Sequence, residues 1–343
     1  MARYGYNSYR SRKNQNKRLT YIIAACVVVL LIVIIFGSWG EDEEKPKTIA
    51  EPADVGVAQP EPQRIPEPEP EPEPEPVLSE VAPEPVAEPN PQATEIIENA
   101  VALMNEKPPK VIEARDLLNE VLPMEMSSRQ QEFVKKRLSD LAEVWLFGRR
   151  VFPEDKLCSL YEVQPGDQLR TIGKKFKVPY EGLMQVNEIN KAQSLQADSS
   201  IKVINGPFHA RIYRSTFTMD LYLQNTFVRS FPIGLGRPGD ETPTGVWRVK
   251  PGGKLISPTW TDPDTGKRYE AEDPDYPLGS RWIGLEGIKG EAVGREGFAI
   301  HGTKDPSQIG SATSRGCIRL HNGNVILVYN LMEPGYSRVD IVD

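Results

Sequence analysis

The stretch ARIYRSTFTMDLYLQNTFVRSFPIG, residues 210–234, carries three short runs in which apolar and polar side chains alternate: ARIYR, MDLYLQN and FVRSFPIG. Successive side chains of a strand point to opposite faces, so this alternation predicts strands with one face in a core and the other toward solvent. Gly234, Gly236 and Gly239 follow as expected turns. From 206 to 343 the sequence therefore predicts a mainly β domain with one clear helix. That helix, VILVYNLM (325–332), has Asn322 and Asn324 as candidate caps and EPG as its stop.

Toward the N-terminus the pattern changes. Residues 160–190, LYEVQPGDQLRTIGKKFKVPYEGLMQVNEIN, open with a short strand and a Pro-Gly turn. Two helices follow, one through Ile172 and Phe176 and one through Leu183 and Val186, and SIKV (200–203) closes the unit as a strand. This predicts a small βααβ module over 159–205. Before it, in 93–150, Ile96, Ile97, Ala100, Val101 and Met104 recur at helical spacing, as do Val134, Leu138, Leu141 and Trp145. SSRQQ (127–131) offers a serine cap with glutamine three residues on. Two or three amphipathic helices are expected, one of them around 110–122, as an interaction hairpin or a structural spacer.

Residues 40–92 are Pro/Glu-rich, with PEPEPEPEPEP at 66–76 and too few apolar side chains to offset chain entropy. They read as a disordered, stiff linker; in polyproline II geometry, at ~3.1 Å per residue, it reaches on the order of 150 Å. Residues 1–20 hold six basic side chains and no acidic ones, and residues 21–39, YIIAACVVVLLIVIIFGSW, are uncharged. That run has about the length of a membrane helix. The basic flank before it and EDEE (41–44) after it predict a single-pass anchor, with the N-terminal tail in the cytoplasm and the rest in the periplasm or wall space. A cleaved signal peptide and lipid attachment at Cys26, in IAAC (23–26), are the competing readings. The long apolar run after Cys26 argues against the second.

The chain's formal charge of −7 resides largely in the linker, which has fifteen acidic and three basic residues over 41–92. Nothing in the remainder resembles a nucleic-acid-binding surface. Of three cysteines, Cys158 and Cys317 lie beyond the anchor. A disulfide between them is weakly supported, because two isolated cysteines have no framework spacing.

Cys317 stands in SATSRGCIRLHNGN (311–324) between Arg315 and Arg319. Nearby cations lower a thiol's pKa, and the thiolate is the nucleophile. If 315–319 is extended, Arg315, Cys317 and Arg319 share one side and both guanidinium groups favour the thiolate. Gly316 permits close backbone approach, and the amides around it are expected donors to an oxyanion. A base is needed, and only His209, His301 and His321 are available. His301 opens HGT at the end of the apolar run GFAI, His321 reads as a surface residue, and His209 has no readable role. Three scattered histidines lack paired ligand spacing, so neither a zinc site nor another cofactor is expected.

Two family resemblances gather these readings. Tyr161, Val163, PGD (165–167), Leu169, Ile172, Phe176, Val178, Leu183 and Asn187 resemble the LysM pattern, although LQADSSIKV (195–203) lacks the usual Gly-Gln turn. The resemblance implies binding to N-acetylglucosamine-containing glycan such as peptidoglycan. ETPTGVWRV (241–249), YPLGSRWIGL (276–285), FAIHGT (298–303), IGSATSRGCIRL (309–320) and EPGYSRVDIV (333–342) resemble, in order, the L,D-transpeptidase catalytic domain of the YkuD type. Asn324 departs from the family's usual Asp. This resemblance implies Cys317 as nucleophile, His301 as base, the Gly302 carbonyl as its orienting group, and Ser314, Gly316 and Arg319 as site residues. The implied reaction releases D-alanine from a peptidoglycan tetrapeptide stem through a thioester on Cys317, which a stem amine resolves as a 3-to-3 cross-link. Water as acceptor would make an L,D-carboxypeptidase, and a protein amine a wall-attachment enzyme. A non-catalytic wall-binding scaffold is the reading of a different class.

Overall fold

The computed structural model describes residues 88–343. The expected tail (1–20), membrane helix (21–39) and most of the Pro/Glu-rich linker lie outside the described residues. Among the described residues no helix is long and apolar enough to cross a membrane.

Three helices come first: α1 (Pro91–Asn105), α2 (Val111–Val121) and α3 (Ser128–Trp145). The linker, expected to reach residue 92, gives way earlier because Asn90 caps the Ala93 N–H and Pro91 sits in the first turn, where its missing donor costs nothing. Ser127 and Gln130 form the expected capping box on α3. Ala93, Ile97 and Ala100 of α1 bury with Leu118 of α2 and Val134, Leu138 and Trp145 of α3.

The βααβ module follows, with β1 (Cys158–Glu162), α4 (Leu169–Phe176), α5 (Tyr180–Val186) and β2 (Ser200–Ile204), the two strands antiparallel. In its PGD turn the Asp167 carboxylate accepts from the Tyr161 hydroxyl at 2.8 Å and the Gln164 N–H at 2.9 Å. Asn187 stitches α5 to β2, accepting from the Lys202 N–H at 2.7 Å and donating to the Lys202 carbonyl at 2.8 Å. Where a Gly-Gln turn is absent, Asp198 takes the left-handed conformation (φ 64°), which Asp tolerates better than most residues.

The last domain is β-rich. Its strands are β3 (Phe208–Tyr213), β4 (Thr218–Leu223), β5 (Thr226–Pro232), β6 (Leu235–Gly236), β7 (Gly245–Ile256), β8 (Trp260–Thr261), β9 (Arg268–Tyr269), β10 (Arg281–Lys289), β11 (Ala299–His301), β12 (Ala312–Ser314), β13 (Ile318–Arg319) and β14 (Arg338–Val342). Eight of them form one mixed sheet in the order β13-β11-β10-β7-β14-β3-β4-β5. The alternation of 210–234 is realised as β3–β4–β5, with Phe208, Ala210 and Ile212 paired with Leu223, Leu221 and Met219 on the core face. The domain's α-helix, α6 (Asn322–Leu331), starts three residues before the expected one.

Two expectations about turns and caps change. Gly234 and Gly236 are not turns: Gly234 bridges to Arg319, and Gly236 lies in β6, where a Cβ would strike the Asp240 carbonyl. Close approach of the backbone at Gln308 and Asp240, rather than a reversal of the chain, requires glycine there; Gly239, at φ 90°, is the turn. Asn322 does not cap α6, whose N-cap is His321 without a side-chain bond. Its amide instead accepts from the Ser280 N–H at 3.1 Å and donates to the Thr303 carbonyl at 3.0 Å, tying together two loops beside His301.

The helical segment is bolted to both neighbours. β5 is a sheet edge, and unpaired edges invite association. Here Asn119 of α2 accepts from the Phe227 N–H at 2.8 Å, and Lys135 of α3 pairs with the fully buried Asp220 at 2.7 Å. At the C-terminal end of α3 the buried Lys202 ammonium donates to the Trp145, Gly148 and Arg150 carbonyls at 2.6, 2.7 and 3.0 Å. A cation at a helix C-terminus satisfies orphan carbonyls and opposes the negative end of the helix dipole. Lys202→Met leaves these acceptors buried and unmatched, and should lower unfolding free energy by about 2–4 kcal/mol in denaturant titration. A loss below about 0.5 kcal/mol would mean that water replaces the ammonium.

Candidate active site

His301 ends β11, and Cys317 directly precedes β13. These strands pair in parallel, Ile300 with Ile318 and His301 with Arg319, so one step back Cys317 stands level with Ala299. Ala299 and His301 share a strand face because of the period-two alternation. Thiol and imidazole thus come to one cavity of about 530 Å³, which Arg237, Trp260, Leu278, Trp282 and Arg319 also line.

The imidazole is held on two sides. Nδ1 lies 2.6 Å from the carbonyl of Gly302, as the resemblance implied. As donor to a carbonyl, Nδ1 carries the proton and leaves Nε2 as the basic nitrogen. Trp282, opposite His301 across the β10–β11 ladder, stacks on the ring with centroids 5.6 Å apart and planes at 13°. His301 is 3% exposed, and this burial pushes its pKa down to about 4 against the pull of the Gly302 and Leu278 carbonyls. At neutral pH it is an uncharged base.

Cys317 departs from the sequence expectation. Burial raises its thiol pKa, and the Ala299 N–H and Arg319 guanidinium offset only part of that rise. The direction of that shift runs against the thiolate expected between two arginines. The reason is the path of the backbone. At Gly316 the chain turns with φ 94°, and a Cβ there would meet the Phe298 ring at 2.5 Å. Residues 315–319 are not one strand; Arg315 still lines the cavity with Cys317, but its charge is taken up by carboxylates. Its guanidinium pairs with Asp262 at 3.4 Å and with Asp264, both on the segment that carries β8 and β9. Arg319 also lines the cavity, donating to Thr313 Oγ1 at 3.0 Å.

Ser314 braces the turn. Its hydroxyl accepts from the Gly316 N–H at 3.1 Å and donates to the Cys317 carbonyl at 2.6 Å, so the Gly316 amide is already engaged rather than free for an oxyanion. Thr242 adds a bond to the Gly316 carbonyl at 2.9 Å. Both Cys158 and Cys317 are free thiols. Cys158 is buried in β1, where burial pushes its pKa up to about 12. His321 lies at the start of α6, and His209 lies on β3. Among the described residues no group of three metal-ligating side chains gathers. Trp282 was quoted within YPLGSRWIGL but not singled out; its signal, an aromatic on the outward phase of a strand, becomes readable only once β10 is registered against His301.

Comparison with known proteins gives the family. Residues 207–341 match the family model of the L,D-transpeptidase catalytic domain, and residues 161–203 match that of the LysM domain. A Bacillus subtilis (strain 168) protein carrying the name L,D-transpeptidase YkuD is 31% identical over 188 residues, 53% of this chain and 97% of its own length. The chain belongs to the YkuD-type L,D-transpeptidase family. A second protein of that organism, carrying the name L,D-transpeptidase YqjB, is 32% identical over 38% of this chain and 69% of its own. Among solved structures, an L,D-transpeptidase from Mycobacterium smegmatis aligns with 43% of this chain and 64% of that chain at 14% identity, with a TM-score of 0.32, too slight an overlap to argue from.

The stacked indole makes a prediction that needs no substrate. Followed by NMR, the His301 ring should titrate near the depressed value of about 4, remaining neutral above it. In Trp282→Ala, water reaches the ring and the titration should move up toward the ordinary histidine value of about 6.5. A parent protein titrating near 6.5 would show that the ring is not desolvated.

Proposed function

We propose that the protein is a peptidoglycan L,D-transpeptidase with Cys317 as nucleophile and His301 as general base. The observation that carries this reading is the convergence, on one cavity, of a thiol and a neutral imidazole whose Nδ1 is locked by its neighbour's carbonyl. A protonated thiol beside a neutral base makes proton transfer part of the attack itself. His301 Nε2 takes the Sγ proton as sulfur bonds to the carbonyl carbon of the stem's third residue. The Cys317 N–H, with no hydrogen-bond partner among the described residues, holds the oxyanion. Collapse of the tetrahedral intermediate breaks the C–N bond, and His301 returns the proton to the departing D-alanine amine. A neighbouring stem amine then gives its proton to His301 and attacks the thioester, which frees Cys317 and forms the cross-link.

The remaining residues serve this centre in different ways. Arg319 offers a cation to a substrate carboxylate inside the cavity, Ser314 fixes the turn, and Arg315 holds the β8–β9 segment beside the cavity. The LysM domain binds glycan, and residues 21–39 anchor the chain, with the catalytic part outside the cytoplasm. On intact cells the C-terminus should be open to external protease while the full-length chain stays with the membrane; a soluble form starting near residue 40 would refute the anchor.

A carbapenem, a strained acyl donor, tests the chemistry directly. The parent chain should form a covalent adduct that maps to Cys317, and Cys317→Ala should form none. His301→Ala should react roughly 100-fold more slowly or worse, the ordinary contribution of a positioned base. His321→Ala should match the parent. A crippled His321→Ala beside a normal His301→Ala would reassign the base.

A further inference from the structure

The outer face of the catalytic sheet holds a second cavity. With Phe208, Ala210 and Ile212 turned into the core, alternation along β3 leaves His209, Arg211 and Tyr213 in a row on the opposite face. Tyr222 of β4 stands opposite His209, and Asp340 of β14 stands level with Arg211, with Arg338 two residues before it. Leu122 and Pro123, in the loop after α2, wall the row in. The space so enclosed is about 620 Å³, larger than the 530 Å³ of the catalytic cavity.

The Tyr222 hydroxyl donates to Asp220 Oδ2 at 3.4 Å and Lys135 Nζ lies 5.3 Å from the Tyr213 ring centre, but the two arginines lack carboxylate partners. Among the described residues neither Arg211 nor Arg338 has a carboxylate within 4.0 Å, and both are exposed. The Arg211 guanidinium lies 5.8 Å from the Tyr213 ring centre. His209 Nδ1 accepts the Arg338 N–H at 3.1 Å, so the ring proton sits on Nε2 as a donor. Burial and the Arg338 charge lower the pKa of His209 and keep the imidazole neutral. Asp340 is the one carboxylate lining the groove, against two arginines.

The groove must read its ligand through side chains. β3 lies between β14 and β4 with its backbone paired on both sides, so no peptide can add to it as a further strand. We propose that this groove binds an anionic glycan strand, with pyranose faces on Tyr213 and Tyr222 and carboxylates on Arg211 and Arg338. The ladder positions of the row, two residues apart and so about 7 Å, suit an extended polymer rather than a compact anion. Charge complementarity favours the anion, and the aromatic faces with a neutral imidazole donor favour sugar over an acidic peptide. The proposal also gives the helical segment a task, since its α2–α3 loop forms one wall.

The test uses the full chain and two probes: peptidoglycan strands stripped of stem peptides, which keep a lactyl carboxylate on alternate sugars, and neutral chitin oligosaccharide. Calorimetry at low salt should show the R211A/R338A double variant weakened at least about tenfold for the stripped strand, the loss expected for a charge-assisted contact. D340N should bind that strand more tightly. Neither variant should change binding of the neutral oligosaccharide. Unchanged affinity of R211A/R338A for the stripped strand would overturn the proposal, as would equal losses on both probes. Tighter, arginine-dependent binding of a Pro-Glu peptide than of the strand would overturn it in favour of an acidic-peptide site. Binding is read without turnover, so its failure leaves the catalytic reading standing, and a failed carbapenem test leaves the groove standing.

Discussion

The parallel pairing of β11 with β13 is the constraint on which the site depends. It joins a three-residue strand to a two-residue one at the edge of the sheet, yet it alone brings together side chains sixteen residues apart in sequence. So short a ladder needs help. The Leu320 N–H donates to the His301 carbonyl at 2.9 Å, and Gly234 exchanges two bonds of 2.9 Å with Arg319 from the other side. A side chain at residue 234 or 236 would strike the carbonyl of Gln308 or Asp240, so glycine at both positions keeps this support in place.

The electrostatics follow from that burial. A thiol flanked by two arginines in sequence suggests a stable thiolate, but desolvation outweighs the single guanidinium that remains nearby. The imidazole is shifted the opposite way by the same cause, because burial disfavours charge on either group. The same burial thus favours the uncharged form of both groups.

What could be read from the sequence was what local pattern controls. Alternation over 210–234 located three strands, the βααβ module followed from its turn and helical repeats, and the Ser127–Gln130 capping box marked where α3 begins. The positions of His301 and Cys317 in one cavity were foreshadowed by motif order. What failed to show was non-local. Arg315 could be placed only by knowing that Gly316 reverses the chain and that Asp262 and Asp264 arrive from fifty residues upstream. Asn322 looked like a cap because a helix follows it, yet two distant loops claim its amide. His209 gave no signal until the strands on either side of β3 were registered.

Helix α3 is gripped near its middle through Lys135 and at its C-terminal end by Lys202, one bond reaching into the catalytic sheet and the other coming from the LysM module. A helix rises about 1.5 Å per residue and bends little over eighteen residues. The LysM module and the β-rich domain thus share this one helix as a common support, and a change at either lysine is felt along the same element.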